Sequence, residues 1–278
     1  MNCQMTVLLL VAVCGVISSP GRTAHADVAI SVNLFSNRGD LPSDAVSMSV
    51  NTAVGSETAG VVAVGNWNDI PANTAVWAGD VDYPLRDSSG ADTGLTFRTA
   101  FLPEQFWYYG SACVADDSAS FAGAGDEAMM RGYAYEEYTG SLYAVMAGRI
   151  PFETFDLYVY CNSNLNNSQI ISLNTSGVTV GDAQTVMETP GTDTAYALSA
   201  AGSVGNYVKF TGLRAADFHT DTYGYYMTIQ ADSSSDTDGY GYINGFQLVD
   251  TTVPESATLC LLLGGAIPLL IRRYREKR

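Results

Sequence analysis

Histidine, lysine and cysteine are nearly missing from this chain. Its 278 residues hold two His, at 25 and 219, and five Cys. A Ser-His-Asp or Cys-His catalytic arrangement needs an imidazole base, and a His-based metal site needs several ligands. His25 falls in a leader segment described below, so His219 would have to serve alone; a solvated loop histidine is the simpler reading. Cys3 and Cys14 also fall in the leader and Cys260 in the tail, which leaves Cys113 and Cys161. In an exported chain these two can pair as a disulfide. The alternative is two buried thiols packing as small hydrophobes.

Positive charge is equally scarce. Residues 27–252 carry 27 acidic and 7 basic side chains, a formal charge of −20, with Lys209 the single lysine among them. A surface this acidic repels phosphate backbones and excludes nucleic acid as the expected partner. It favours solubility outside a cell, and it leaves room for a cation.

The apolar runs are short and sit at the two ends. Residues 7–17 are eleven apolar residues, the length of a signal-peptide core and too short to span a bilayer. Ser18, Ser19, Pro20 and Gly21 break the run, and Ala24-His25-Ala26 supplies a small-x-small cleavage site that would leave Asp27 as the new N-terminus. No Lys or Arg precedes the run, which departs from the usual pattern. At the other end, residues 257–271 are fifteen residues without a charge, and residues 272–278 then hold five basic groups. An apolar helix followed by a basic block stops in the membrane with its end in the cytoplasm. Fifteen residues span only about 22 Å, which makes this a temporary rather than a permanent anchor.

Directly before that helix stands Val253-Pro254-Glu255-Ser256. The order of Pro-Glu motif, short apolar helix and Arg-rich end resembles the C-terminus of the PEP-CTERM class of exported bacterial proteins. Ser256 replaces the second proline of that signature. The resemblance implies recognition of Val253, Pro254 and Glu255 by an exosortase-like processing enzyme. It also implies transient residence in the inner membrane and a final place at the cell surface or in exopolysaccharide. Three segments follow: a signal peptide at 1–26, one large domain at 27–252, and a sorting tail at 253–278.

Within the domain, period-two alternation dominates. Val28, Ile30, Val32 and Leu34 alternate with Ala29, Ser31 and Asn33; Phe155, Leu157, Val159 and Cys161 alternate with Asp156, Tyr158 and Tyr160. Leu95, Phe97, Thr99 and Phe101, then Tyr225, Met227 and Ile229, and finally Tyr242, Asn244, Phe246 and Leu248 repeat the pattern. Residues 60–65 read as a strand buried on both faces. Turn clusters at 36–40, 87–92, 116–118 and 232–239 separate these runs. One helix is expected, over 126–138. No repeat of constant period is visible, which disfavours a propeller or solenoid.

The expected fold is therefore all-β: an antiparallel β-sandwich of jelly-roll type, its two terminal strands close in space, with a signal peptide and a transmembrane sorting helix at its ends. Residues 59–68, 155–160 and 241–249 resemble segments of planctomycete-type exported proteins with PEP-CTERM tails. The last is also similar to the closing strand of galactose-binding-like sandwiches.

Three kinds of site can be named. Paired carboxylates such as Glu136-Glu137 or Asp126-Glu127 could hydrolyse glycosides, but among 27 acids adjacency carries no signal, and no catalytic residue is expected. Asp232, Asp236 and Asp238 offer the hard oxygen ligands of Ca²⁺, without the spacing of an EF-hand; no other cofactor is implied. Trp67 between Asn66 and Asn68, Trp77, and Trp107 beside Tyr108 and Tyr109 could stack on sugar rings, the alternative being core packing. The leading expectation is a structural or adhesive surface protein. A carbohydrate-binding module for exopolysaccharide comes next, and a glycoside-active enzyme third.

Overall fold

The computed structural model describes residues 28–35, 53–71, 82–98, 112–115, 120–136, 141–162, 168–187, 194–200, 203–220, 224–233 and 241–252. The leader at 1–26 and the tail at 253–278 lie outside them.

In chain order the strands begin with β1 (Ala29–Phe35), β2 (Asn68–Pro71), β3 (Asp82–Arg86), β4 (Asp92–Arg98) and β5 (Ala112–Ala115). After helix α1 (Ala124–Arg131) come β6 (Gly132–Glu136), β7 (Ser141–Ala147), β8 (Thr154–Tyr160), β9 (Ser168–Thr175), β10 (Val178–Thr179) and β11 (Gln184–Met187). The last group is β12 (Tyr207–Arg214), a 3-10 turn (Ala215–Phe218), β13 (His219–Thr220), β14 (Gly224–Ser233), β15 (Gly241–Ile243) and β16 (Gly245–Asp250).

Two sheets carry the domain. One runs β12-β8-β16-β1-β2, and the other β10-β9-β14-β7-β4-β3, with β11 beside β9 and β13 beside β14. A small third sheet, β15-β6-β5, flanks them. All pairings are antiparallel except β1 with β2. The alternating residues explain the layering. Ile30, Val32, Leu157, Val159, Phe246 and Leu248 of the first sheet share one core with Leu95, Phe97, Leu142, Met146, Met227 and Ile229 of the second. Truncating one of these, such as Phe246→Ala, would cost about 3–5 kcal/mol from lost transfer energy and the cavity left behind. The expected closeness of the first and last strands holds: Ala29 sits opposite Val249 and Val32 opposite Phe246.

The outer face of the first sheet is not solvated. A second apolar cluster covers it, built from Ala29, Tyr158, Tyr160 and Val249 of the sheet together with Val54, Ala59, Val64, Trp67, Met129 and Met130. This explains why β1, expected to be half-buried, is buried on both faces from Ala29 to Leu34.

Three expectations need correction. Residues 60–65 form no strand. A tight loop spans 60–63, closed by an isolated bridge from Ala59 to Val64, with Val61 and Val62 half-buried and Ala63 exposed. Apolar composition alone does not distinguish a buried strand from a packed loop. The helix is shorter than the expected 126–138 and ends at Arg131; Tyr133 belongs to β6. Its start is favoured by Asp126 and Glu127 at the positive end of the dipole. Its end is set from outside: the side-chain amides of Asn162 and Asn244 both donate to the Met130 carbonyl, at 2.9 and 3.0 Å, and Asn244 also to that of Gly132 at 2.8 Å. Lastly, Asp232 lies within β14 rather than in the following turn.

Candidate functional site

The sequence-predicted residues scatter. Trp67 is buried, 6% exposed, and its indole N–H donates to the Val64 carbonyl at 3.0 Å. Its ring fills the second core and presents no face to a sugar. Asn66 and Asn68 are also occupied. The Asn66 side chain donates to the Ser88 carbonyl at 2.8 Å, and Asn68 bridges the Ser31 and Arg86 carbonyls at 2.9 and 2.8 Å. Trp77 and Trp107 lie outside the described residues, as do Asp236, Asp238, Val253, Pro254, Glu255, Ala24 and Ala26. Asp232 accepts from the Ser141 hydroxyl at 2.5 Å and from the Gln230 amide at 2.9 Å to each oxygen. Among the described residues no group of three His, Cys, Asp or Glu side chains could hold a metal ion. Cys161 is fully buried at the end of β8, and the Cys113 side chain lies outside the described residues. His219 stands exposed at the start of β13, its ring edge-on to Tyr225 with centroids 4.8 Å apart.

The buried polar centre of the molecule is structural. The Tyr160 hydroxyl donates to the Gln247 side-chain carbonyl and accepts from the Val61 N–H at 2.9 Å. Gln247 in turn donates to the Ser31 hydroxyl at 3.0 Å and the Val62 carbonyl at 2.9 Å. Beside them, Tyr196 donates to Asp126 at 2.5 Å, and the Gly60 N–H is shared between both oxygens at 2.9 and 3.0 Å. Burial pushes the Tyr160 and Tyr196 hydroxyls well above their ordinary range, and the Asp126 carboxylate adds to this by favouring their neutral forms. Tyr160 and Gln247 are fully buried, while Asp126 and Tyr196 are half-buried, and all four fasten the loop or the helix beside it.

An open cleft lies elsewhere, where strands of the two facing sheets end together. Its volume is about 750 Å³, within the range of small-ligand sites. One wall comes from Thr93 and Gly94 at the start of β4, Arg149 just after β7, and Tyr225 at the start of β14; the other comes from Glu153 before β8 and from Arg214 at the end of β12. Buried Ile150 and Phe152 contribute apolar lining. The close approach of the first wall depends on Gly148. It has φ +105°, and a Cβ there would fall 2.6 Å from the Gly94 carbonyl oxygen.

The charges of the cleft stand at its rim. The Arg149 guanidinium carbon lies 5.9 Å from the centre of the Tyr225 ring, within cation–π reach. Arg214, its side chain 65% exposed, pairs with Asp217 at 2.9 Å, and this hydrogen bond raises its already high pKa. The arrangement offers a ring, apolar lining and planar donors, which is what holds a sugar by stacking and by its hydroxyls. Sequence reading missed it because these residues are spread over 93–225 with no shared spacing. The one available signal was rarity: two of the seven basic side chains in residues 27–252 meet here.

No family model matches the sequence, and no curated protein matches it. Among solved structures, the chain is similar to Bacteroides uniformis beta-glucuronidase 2 covalently bound to cyclophellitol-6-carboxylate aziridine, at 12% identity over 68% of this chain and 20% of that one, with a TM-score of 0.30. It is similar to the ANX2 ectodomain from Arabidopsis thaliana, at 11% identity over 54% and 42% of the two chains, with a TM-score of 0.32. A family 35 carbohydrate binding module from Clostridium thermocellum follows, at 10% identity over 63% and 100%, with a TM-score of 0.23. The chain spans about a fifth of the length of the glucuronidase. Likenesses this distant assign no ligand to the cleft.

Proposed function

We propose that residues 27–252 form a non-catalytic, carbohydrate-binding β-sandwich of jelly-roll type on an exported protein, and that the saccharide sits in the cleft at the sandwich end. The observation that carries the reading is the meeting of the Tyr225 ring with apolar lining and the rim groups Arg149, Glu153 and Arg214. Glu153 is the one carboxylate lining the cleft among the described residues. Cleavage of a glycosidic bond calls for two carboxylates across it, so the geometry favours a binder over a hydrolase. Adhesion to exopolysaccharide would then be the outcome of this binding. The leader at 1–26 and the PEP-CTERM-like tail at 253–278 support export, a temporary hold in the inner membrane, and processing by an exosortase-like enzyme. A glycan array probed with the wild-type chain and with Tyr225→Ala tests the reading. Binding to a defined set of glycans that the variant loses supports it, and an array with no bound glycan refutes it.

A further inference from the structure

We infer that the saccharide held in the cleft is acidic, and that Arg149 and Arg214 receive its carboxylate; this rests on the carbohydrate reading above. The first observation is distribution. Residues 27–252 carry 27 acidic groups against 7 basic ones, yet two of those seven line one cleft beside a single carboxylate, that of Glu153. The second is the state of Arg149. Among the described residues Arg131 pairs with Glu127, Lys209 with Asp156 and Arg214 with Asp217, while Arg86 donates to the Gly90 carbonyl. Arg149 has no such acceptor among them: its described contact is the face of Tyr225, and the side chain is exposed. A guanidinium is a rigid fork of five donors that matches a carboxylate in two parallel bonds. That of Arg149 has its carbon 5.9 Å from the centre of the Tyr225 ring, at the outer edge of cation–π reach. Arg214 spends part of its fork on Asp217 and has N–H groups left for a second acceptor.

The remaining geometry selects a sugar acid over other anions. The half-buried Tyr225 ring supplies an apolar surface that a small inorganic anion would leave unused. A saccharide with one carboxylate per ring would place its charge at the arginines and its ring carbons against the part of the Tyr225 ring that Arg149 and His219 leave uncovered.

The test uses the purified full chain and a panel of oligosaccharides in matched pairs, each uronate beside its carboxyl-reduced form, titrated calorimetrically at low salt. Sulfated oligosaccharides form a third arm. The inference predicts that the uronate binds about tenfold or more tightly than its reduced partner, the size expected of hydrogen bonds to a charged group. Arg149→Gln should erase most of that preference, lowering affinity for the uronate far more than for its reduced form, and added NaCl should weaken the uronate far more than its partner. A sulfated ligand preferred over the uronate would overturn the carboxylate assignment. Equal binding of both members of each pair, or a preference that survives Arg149→Gln, would overturn the inference and leave the carbohydrate reading standing. If no member of any pair binds, both fail. Because Arg149 is exposed, an unchanged melting temperature in the variant confirms that folding is not the cause.

Discussion

The hydroxyl of Tyr160 donates to Gln247 across the outer face of the first sheet, joining β8 to β16, and at the same time accepts the backbone N–H of Val61. One phenol thus fastens the 53–67 loop to the strand that pairs with β1. Tyr160→Phe keeps the ring and removes the oxygen, which leaves the half-buried Val61 N–H and the buried Gln247 side-chain carbonyl without this partner. The expected loss is about 1–3 kcal/mol. In thermal unfolding this should appear as a fall of about 2–10 °C, at the few degrees per kcal/mol usual for a domain of this size. No change in melting would show that the loop is not held this way.

Gly60 lies under the same clasp. Its φ is +95°, and a Cβ added there would fall on the Gln247 amide, which three hydrogen bonds hold in place. Gly60→Ala therefore combines backbone strain with a clash that a free side chain could have relieved. The expected cost is about 2–4 kcal/mol. Gly55, with φ +62° and nothing within 4 Å of its would-be Cβ, is the control, since there only the backbone term applies. Melting curves of the two alanine variants should separate clearly.

Tyr196 gives the domain an alkaline limit. Burial, then the Asp126 carboxylate, raise its folded pKa far above the ordinary value of 10.0. A raised folded pKa contributes stability that is complete below the unfolded pKa and is lost as pH rises beyond it. Stability should therefore hold to about pH 9.5 and fall steeply above about pH 10. Tyr196→Phe should lower stability at neutral pH and flatten the alkaline decline. Denaturant midpoints of both proteins at pH 7 and pH 11 check the slope.

The tail can be examined apart from the cleft. Deleting residues 257–278 removes the fifteen-residue uncharged run and the basic block that follows it. The chain should then move from the membrane fraction to the medium. Retention of the truncated chain in the membrane would place the anchor elsewhere.

Much of the sandwich was legible because alternation reports which face of a strand is dry. Phe155, Leu157 and Val159 entered the main core as expected, and so did Met227 and Ile229. Alternation could not report that the other face of β8 is dry too, because the cover over Tyr158 and Tyr160 comes from the distant loop at 53–67 and from α1. Trp67 shows the limit for sites: a tryptophan between two asparagines reads equally as a sugar platform or a core plug, and only the packing decides. The cleft was invisible for a related reason. Arg149, Arg214 and Tyr225 are ordinary residues until the ends of the two sheets bring them together.

The claim that the cleft takes a saccharide is tested most directly by titrating a glycan identified on the array into the wild-type chain and into Tyr225→Ala. Tyr225 is half-buried at the cleft wall, outside the main core, so the variant should melt within a few degrees of the wild type. The account predicts that affinity falls about tenfold or more when the stacking ring is removed, as for other central aromatic contacts. An unchanged dissociation constant in a folded Tyr225→Ala protein would contradict it.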